Sequence, residues 1–370
     1  MTAITSLQTD KSALHRTRVV ETPLAPLKDG EALLKIDRLA VTTNNITYAA
    51  FGDTPHLRYW SFFPTGDAAW GHMPAWGFAT VVQSTVDGLE PGERFYGYWP
   101  IASHVVMQPV RVGDRGFYDG TPHRLELTSA YNQYQRTRTD AAYRAEDEDF
   151  QMLMRPLYIT SFMLADFLED NAFFGARQVV FSSASSKTAY GTAFSLQLQK
   201  ADGVARVGLT SKGNRAFVDR LGCYDRSVTY DDVASLDPSV PTLYVDFSGD
   251  NALRRRIHEH FGASLVHSCY AGSAHSQDHI SLSSDVLPGP QPQAYFAPNQ
   301  IRKRNTDWGA AEVTRRFNVA QLAFIRQVAD GEGAWMKVRH HAGLPAAQDL
   351  VDALVNGRVD PTDGHVVLLA

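Results

Sequence analysis

A run of hydroxyl-bearing residues with one lysine, SSASSKT from Ser182 to Thr188, is the stretch best suited to binding an anion. It follows the apolar segment QVVF and precedes a segment with helical spacing, which predicts a strand-to-helix turn. The hydroxyls, the ammonium group and the free N–H groups of a helix N-terminus can all bind a phosphate. The alternative is that the hydroxyls only cap the helix. The residues predicted to bind here are Ser183, Ser185, Ser186, Lys187 and Thr188.

A second polar turn follows the next apolar segment, VARVGLTS, and contains no carboxylate between Thr210 and Arg215. In a dinucleotide site, a carboxylate at this point binds the ribose 2′-hydroxyl, whereas basic side chains accept a 2′-phosphate. We therefore predict that Ser211, Lys212 and Arg215 bind NADP(H) in preference to NAD(H). The alternative is that Lys212 and Arg215 are solvated charges at the start of a helix.

Aromatic and amide side chains in the first half of the chain are candidates for a substrate pocket. Trp76 is either a wall of a cleft or part of the core, which is the commoner location of tryptophan. The segment NQYQR at residues 132–136 offers hydrogen-bonding groups to a polar substrate if it folds over a cleft, and is otherwise a surface loop. On this basis Trp76, Asn132 and Tyr134 are predicted to bind substrate.

Composition limits the partners and cofactors that the chain can have. It carries 35 basic and 40 acidic residues, a net charge of -5, and no long block of one sign, which argues against a nucleic-acid or membrane-surface partner. Cys223 and Cys269 lack the spacing of a zinc site, so no metal is predicted. The absence of a signal-peptide pattern and of a long apolar run predicts a cytoplasmic protein that acts on a small molecule.

The order of the predicted elements distributes these residues over two domains. Alternating apolar runs from Thr17 to about Pro109 predict a small β domain. A polar segment at residues 110–150 breaks this rhythm and is predicted to be a lid or a solvated linker. Beyond Met152, strands such as QVVFSSAS, VARVGLTS and TLYVDFSG alternate with single helices. This alternation requires right-handed crossovers and predicts a doubly wound parallel sheet.

Ordered motifs along nearly the whole chain resemble the medium-chain dehydrogenase/reductase superfamily, in particular its zinc-free, quinone-oxidoreductase-like members. The resemblance is carried by EALLKIDRLAVTTNNITYAAFGD, by FATVVQSTVDGLEPGERFYGYWPIASHVVMQP and by the tail MKVRHHAGLPAAQDLVDALVNGRVDPTDGHVVLLA. Within the superfamily, SSASSKTAYG and YFAPNQIRKRNTDWG look like an uncharacterised branch known as a domain of unknown function. The implied fold is α/β. It comprises a GroES-like β-rich catalytic domain of residues 1–150 and 331–370, with an insertion at about 110–150, and a Rossmann-like domain of residues 151–330.

The resemblance also implies roles for individual residues. Tyr48 matches the substrate-loop tyrosine of zinc-free quinone and enone reductases, where a phenol can donate a hydrogen bond to a substrate carbonyl. The neighbouring amides of Asn44 and Asn45 can do the same. Tyr230 would close the phosphate pocket, and Phe296 would lie beside the nicotinamide. For Tyr48 and Tyr230 the alternative is a packed core residue.

Two stretches depart from the pattern of the superfamily. In GHMPAWGFATVV, Pro74, Trp76 and Phe78 replace the Gly-His-Glu of the zinc-dependent members, and His72 alone does not make a tetrahedral site. The turn after the first Rossmann strand has lost most of its glycines. Gly191 remains and is expected to keep the following helix close to the strand.

Taken together, the resemblance implies an NADP(H)-dependent reductase of a small carbonyl compound such as an enone, a quinone or a ketone. It also implies a homodimer formed through the edge of the Rossmann sheet. One alternative is a non-redox enzyme on the same fold that hydrolyses or cleaves a dicarbonyl compound, which the serine-rich turn motivates. The other is a protein that binds NADP(H) without turnover.

Overall fold

The computed structural model describes residues 3–54, 58–201, 203–271, 286–329, 334–360 and 362–369. The chain divides into two units. Unit 1 consists of Met1–Leu153 together with Met336–Ala370, and unit 2 consists of Met154–Trp335. The boundary predicted between residues 330 and 331 falls outside the described residues. Unit 1 is rich in strands and unit 2 is built on a parallel sheet, which confirms the predicted α/β class.

The elements of the first part of the chain are mostly strands. They are β1 (Ala3–Asp10), β2 (Thr17–Pro23), β3 (Ala32–Ala40), α1 (Thr43–Ala50), β4 (Trp70–Gly71), β5 (Pro74–Ser84), β6 (Arg94–Pro100), β7 (His104–Met107), β8 (Pro109–Gly113), β9 (Gly116–Asp119), β10 (Gln133–Arg136) and α2 (Glu148–Asp170). Helix α2 begins in unit 1 and continues into unit 2.

Strands and helices alternate in the rest of the chain. They are β11 (Gln178–Phe181), α3 (Lys187–Leu198), β12 (Ala205–Thr210), α4 (Arg215–Leu221), β13 (Arg226–Thr229), β14 (Thr242–Asp246), α5 (Asn251–Phe261), β15 (Leu265–Tyr270), β16 (Gln293–Ala294), α6 (Ala297–Trp308), α7 (Ala310–Ala329), β17 (Lys337–Ala342), α8 (Gly343–Val355) and β18 (Asp363–Leu368). None of the described helices is long and apolar enough to cross a membrane.

The main sheet of unit 1 brings together strands from both ends of the chain. Within the described residues its order is β17-β18-β3-β5-β6-β10-β9-β8, and β7 also pairs with β3. The tail strand β18 is antiparallel to β3, with Val366 opposite Ala40. The core contains Leu34, Ile36 and Val367, each 0% exposed, so the tail completes the hydrophobic core of this unit.

Residues 110–150 do not form the lid or linker predicted from their polarity. Strand β10 pairs with both β6 and β9, so this segment extends the main sheet of unit 1. The sequence pattern was obscured because each of the strands β8, β9 and β10 is only four or five residues long. The inward residues Phe117 and Tyr134 are 1% and 0% exposed, and their rings stack 5.0 Å apart.

The sheet of unit 2 has the order β13-β12-β11-β14-β15-β16, and its described strands are all parallel. This is the strand order of a Rossmann fold, which reverses direction beside the first strand. All four residues of β11 are buried, as expected for a strand with helices on both faces of the sheet. The predicted doubly wound sheet is therefore confirmed.

Gly191 does permit a close approach, although not the one expected. A Cβ at this position would lie 2.7 Å from the Ser161 Oγ atom and 3.3 Å from the Tyr158 ring, both on helix α2. Glycine therefore lets α3 pack against the Ser161 and Tyr158 side chains of α2, because it has no Cβ that would collide with them. Its expected role in keeping the helix close to the strand stays a prediction.

Candidate functional site

The serine-rich turn between β11 and α3 has the local structure of a helix N-terminus with an unusual bend. Ser186 caps α3, and its side chain accepts a hydrogen bond from the Ala189 N–H at 3.3 Å. Ser183 has a φ of 47°, a left-handed conformation that favours glycine. Lys187 and Thr188 form the first turn of the helix, where backbone N–H groups have no carbonyl partner within the helix. The turn can therefore bind an anion with its N–H groups even though Ser186 is used as the cap.

The ends of neighbouring parallel strands meet at this turn. The Asn214 amide, after β12, donates to the Ser185 hydroxyl at 3.2 Å. The Tyr230 hydroxyl, after β13, accepts from the Ser183 N–H at 3.2 Å. Tyr230 is therefore brought to the serine-rich turn, as its predicted role requires. The structure thus gathers several predicted cofactor residues at the carboxyl edge of the sheet, which is where ligands bind in doubly wound folds.

A buried hydroxyl without a partner lies at the same edge. Thr210 is the last residue of β12 and is 1% exposed, and within the described part of the chain its Oγ1 atom has no hydrogen-bond partner. An unsatisfied buried hydroxyl costs roughly 1–3 kcal/mol. A polar ligand at the edge of the sheet could remove that cost, so the residues present fit a nucleotide.

The predicted basic residues after β12 are exposed and lie near carboxylates. Lys212 Nζ is 3.5 Å from an oxygen of Asp231, and Arg215 is 3.9 Å from Asp219. Both ion pairs are exposed and therefore weak. Asp231 follows β13 and was not predicted, because it is distant in sequence from the turn after β12. Ser211 precedes this turn. Phe296 lies before α6, at the β16 end of the sheet, and is 37% exposed.

Asp246, at the end of β14, is the best-connected polar residue at this edge, and sequence reasoning missed it. One of its oxygens accepts from the hydroxyls of Ser182 and Ser248, each at 2.8 Å, and the other accepts from Arg254 at 2.7 and 3.0 Å. Burial favours a higher pKa for Asp246, but Arg254 and the two hydroxyls outweigh it and hold the pKa below its ordinary value. Ser182 also accepts from the Phe247 and Ser248 N–H groups, so it joins the turns after β11 and β14.

Unit 1 contains a cluster of aromatic side chains around Tyr48, which we call the phenol cluster. Its members are Tyr48, Tyr59, Phe62, Trp76, Tyr98 and Tyr131. Helix α1 presents Tyr48, which is 6% exposed, and the Asn44 amide one turn earlier donates to its hydroxyl at 2.6 Å. Burial raises the pKa of Tyr48 well above its ordinary value, and Tyr131 adds to the rise. Tyr48 is therefore a neutral phenol that can donate a hydrogen bond.

Trp76 and Tyr131 form the partly exposed side of the phenol cluster. Their ring centroids are 5.8 Å apart, and Tyr98 lies 5.1 Å from Trp76 and 5.0 Å from Tyr131. The Tyr98 hydroxyl is buried and has no hydrogen-bond partner in the described ranges. Tyr131, Tyr59 and Tyr98 were missed by sequence reasoning. The aromatic run FYGYW in β6 was the available signal for Tyr98.

Three predicted site residues of unit 1 have structural contacts instead. Asn45 forms a capping box with Thr42 and donates to the Pro74 carbonyl at 2.8 Å, so its amide holds the start of α1. Asn132 is 4% exposed and donates to the Asp119 carbonyl. Tyr134 is 0% exposed and donates to the Tyr98 carbonyl, and burial raises its pKa to about 12. The prediction that Asn132 and Tyr134 contact substrate is wrong, because both side chains point into the sheet domain.

Potential metal ligands in the described residues are scattered. No group of three or more histidine, cysteine or carboxylate side chains is arranged to hold an ion there. His72 instead bonds the Phe63 carbonyl at 2.9 Å and the Ser6 hydroxyl at 3.2 Å, and burial lowers its pKa. His72 is therefore a neutral structural residue.

Comparison with solved structures identifies the fold. CurA from Vibrio vulnificus, crystallised in complex with NADPH, has a TM-score of 0.59 at 11% identity, with 96% of this chain and 94% of CurA covered. A mutant enoyl thioester reductase from Candida tropicalis has a TM-score of 0.57 at 10% identity over 100% of both chains. The yhdH oxidoreductase from Salmonella enterica in complex with NADP has a TM-score of 0.53 at 14% identity, over 99% of this chain and 100% of that protein.

Comparison of sequences identifies the family. No curated protein matches the chain. Residues 39–360, however, match the family described as "Protein of unknown function (DUF2855)", a span that includes the phenol cluster, the serine-rich turn and Asp246. Because this match covers more than half of the chain, the chain belongs to the DUF2855 family.

Proposed function

We propose that this protein is an NADP(H)-dependent reductase of small carbonyl compounds such as enones, quinones or ketones. The observation that carries the proposal is the meeting of the Ser182–Ser186 turn, Asn214 and Tyr230 at the carboxyl edge of a Rossmann sheet. The fold is shared with proteins crystallised with NADPH and NADP. The unpartnered Thr210 hydroxyl adds a polar group that a nucleotide can satisfy.

Each part of the nucleotide would be held by different residues. The first turn of α3, with Lys187 and Thr188, would bind the pyrophosphate through backbone N–H groups. Lys212 would bind a 2′-phosphate and in doing so would leave Asp231, its present partner. Because Asp231 repels a phosphate, the balance between these two side chains would set the preference for NADPH over NADH.

The phenol cluster would bind and polarise the substrate. Bound NADPH would supply the hydride. The Tyr48 hydroxyl, which already accepts from Asn44, keeps its own proton for donation to a carbonyl oxygen as negative charge develops. The partly exposed rings of Trp76 and Tyr131 would pack against a planar or apolar substrate.

The serine-rich turn gives little support to the hydrolytic alternative. A serine nucleophile needs an adjacent general base, most often histidine. Ser182 is bonded to Asp246, Ser185 to Asn214 and Ser186 to the Ala189 N–H. In the described part of the chain, no histidine is hydrogen-bonded to these hydroxyls. Their partners suit a structural or ligand-binding role and not that of a nucleophile.

The decisive experiment is titration of the purified protein with NADPH and with NADH, followed by nicotinamide fluorescence. We expect NADPH to bind more tightly, Lys212→Glu to weaken NADPH binding about tenfold or more, and Asp231→Asn to strengthen it, because each change alters a charge beside the 2′-phosphate. Lys337→Glu, on exposed strand β17 in unit 1, is the matched control. Failure of both nucleotides to bind at millimolar concentration would refute the reductase. If NADPH binds but no enone, quinone or ketone oxidises it, the protein binds the nucleotide without turnover.

A further inference from the structure

The crevice at the carboxyl edge of the unit 2 sheet has two sides. Strand β11 lies between β12 and β14, so the strand order reverses at this point. In doubly wound folds a dinucleotide binds across such a crevice, with one mononucleotide on each half of the sheet. Lys212, the predicted partner of the 2′-phosphate, follows β12, so the adenosine half of the ligand belongs to the β12 side. The nicotinamide half then falls to the turn after β14.

Ser182, the first residue after β11, is bonded across this crevice to the β14 side. Its hydroxyl donates to Asp246 Oδ1 at 2.8 Å and accepts from the N–H groups of Phe247 at 2.8 Å and Ser248 at 3.0 Å. Its backbone N–H donates to the Val245 carbonyl at 3.1 Å. A serine hydroxyl has one proton and two lone pairs, and here all three are used in a residue that is 0% exposed. The hydroxyl therefore has no group left for a ligand and acts on one only by fixing the two turns.

Asp246 holds the far end of this bridge. Its Oδ1 atom also accepts from the Ser248 hydroxyl at 2.8 Å, from the Ser248 N–H at 2.9 Å and from the Gly249 N–H at 3.1 Å. Its Oδ2 atom accepts from Arg254, on α5, at 2.7 and 3.0 Å. The same oxygen that holds Ser182 thus fixes the start of the turn between β14 and α5, and Arg254 keeps the carboxylate from rotating.

The rest of the serine-rich turn is held from the other side of the crevice. The Tyr224 hydroxyl, between α4 and β13, donates to the Ala184 carbonyl at 3.0 Å. The Asn214 amide, after β12, donates to the Ser185 hydroxyl at 3.2 Å. Neither contact involves Ser182 or the turn after β14, so the adenosine side of the crevice is built independently of the bridge.

We propose that Ser182 is a positioning residue for the nicotinamide half of NADP(H): with Asp246, it holds the turn after β14 at a fixed distance from the serine-rich turn. This proposal rests on the proposed NADP(H)-dependent function. Removal of the Ser182 hydroxyl takes one donor from Asp246 and the acceptor from the Phe247 N–H, and so releases the turn after β14 from the turn after β11. The adenosine side keeps its own contacts, so the two halves of the dinucleotide respond differently to this change.

The test compares two ligands on the full-length protein by titration calorimetry. One is NADPH, and the other is adenosine 2′,5′-bisphosphate, which carries the adenosine and its 2′-phosphate but lacks the nicotinamide half. We expect Ser182→Ala to weaken NADPH binding by roughly tenfold, as for the loss of one hydrogen bond to a charged group, and to leave the Kd of the bisphosphate unchanged. Ser185→Ala, on the adenosine side of the same turn, should weaken both ligands alike, because it removes the partner of Asn214.

Ser248→Ala carries the same test at an exposed position, where the substitution leaves the core untouched. It removes one donor to Asp246, so it should weaken NADPH binding less than Ser182→Ala does and should also spare the bisphosphate. Ser239→Ala, in the exposed loop before β14, is the matched control and should change the Kd of neither ligand.

A purely structural role for Ser182 would weaken both ligands equally, and that result would overturn the proposal. Unchanged NADPH binding in Ser182→Ala would overturn it as well, and in both cases the nucleotide site would stand. If Ser182→Ala does not fold, Ser248→Ala decides by the same comparison. Failure of the wild-type protein to bind NADPH at millimolar concentration is a different result, because it refutes the proposed function itself.

Discussion

Ser183 adopts a left-handed backbone conformation, with φ at 47°, in the middle of the candidate anion site. For a residue with a Cβ, this conformation costs about 1–2 kcal/mol. Rossmann folds that bind dinucleotides usually have glycines in this turn, and glycine adopts the left-handed conformation without that cost. The strain at Ser183 thus lies in the candidate anion site, and local strain of this kind is common at ligand-binding sites.

Replacement of Ser183 by glycine should therefore stabilise the protein by about 1 kcal/mol, because glycine adopts a left-handed conformation without strain. Ser185→Gly, two residues along the same turn, should instead destabilise it by roughly 0.5–1 kcal/mol through added backbone freedom. Urea unfolding of both variants and the wild type measures the difference. Equal effects of the two substitutions would argue against strain at Ser183.

Residue-scale prediction from the sequence failed where neighbouring side chains point in opposite directions. Tyr134 carries a phenol suited to a substrate contact, yet it stacks in the core with Phe117. Tyr131, three residues earlier, lies in the phenol cluster and was passed over. Both residues are tyrosines, so side-chain chemistry alone does not distinguish them. What distinguishes the two tyrosines is strand β10, in which Tyr134 points inward. A strand of four residues is too short for the alternation of a β-strand to be recognised in the sequence.

At the scale of elements, the turns after β11 and β14 are tied together by the Ser182 and Asp246 side chains and by Arg254. Asp246 and Arg254 are each 2% exposed, so this is a buried ion pair with satisfied hydrogen bonds. Such a pair adds little net stability when formed, but removal of one partner leaves an uncompensated buried charge.

We expect Asp246→Asn to lower the free energy of unfolding by about 3–5 kcal/mol, because Arg254 loses its counter-charge. Asp225→Asn, which removes a partly exposed pair with Arg206, should cost about 1 kcal/mol or less. The pKa of Asp246 is depressed in the folded state. Its contribution is thus present above the ordinary value of 3.8 and is lost as the pH falls through the folded value.

Acid unfolding curves provide the check. The wild type should lose this part of its stability below about pH 4, and Asp246→Asn should lack that component. A variant with wild-type stability at neutral pH would contradict the buried ion pair.

Elements of unit 2 were predictable because helix and strand alternate with clear apolar periods, and the order of the sheet follows from that alternation. The role of Asp246 was not predictable, because DFSGD is a sequence typical of an ordinary turn. Its importance arises from Ser182, which is distant in sequence and brought close by the parallel pairing of β11 with β14. Contacts of this kind depend on the assembled sheet and leave no local signal.

At the scale of the whole molecule, the candidate nucleotide residues all lie in unit 2 and the phenol cluster lies in unit 1. NADPH should therefore protect one unit more than the other from amide hydrogen exchange. We expect the strongest protection in α3 and in the turn after β12, and no change in β1 and β2. At a concentration 100-fold above Kd, binding adds about 2.7 kcal/mol to the stability of the unit that binds.

Hydrogen exchange followed by mass spectrometry, with NADPH and with NADH, measures this pattern. Protection confined to unit 1, or uniform over the chain, would place the nucleotide elsewhere. Lys337→Glu protein again provides the control, because its substitution lies outside the protected segments.

The return of the tail to the main sheet of unit 1 affects how the protein is made. Strand β3 leaves the ribosome early, but its partner β18 is synthesised only after all of unit 2. At roughly 5–20 residues per second, the Arg38–Ala40 end of that edge of β3, which β7 does not cover, stays unpaired for tens of seconds on the nascent chain. Unit 2 is continuous in sequence and can fold during this interval, so a nascent chain carries a folded unit 2 while the sheet of unit 1 is still open and prone to aggregation until β18 has been synthesised.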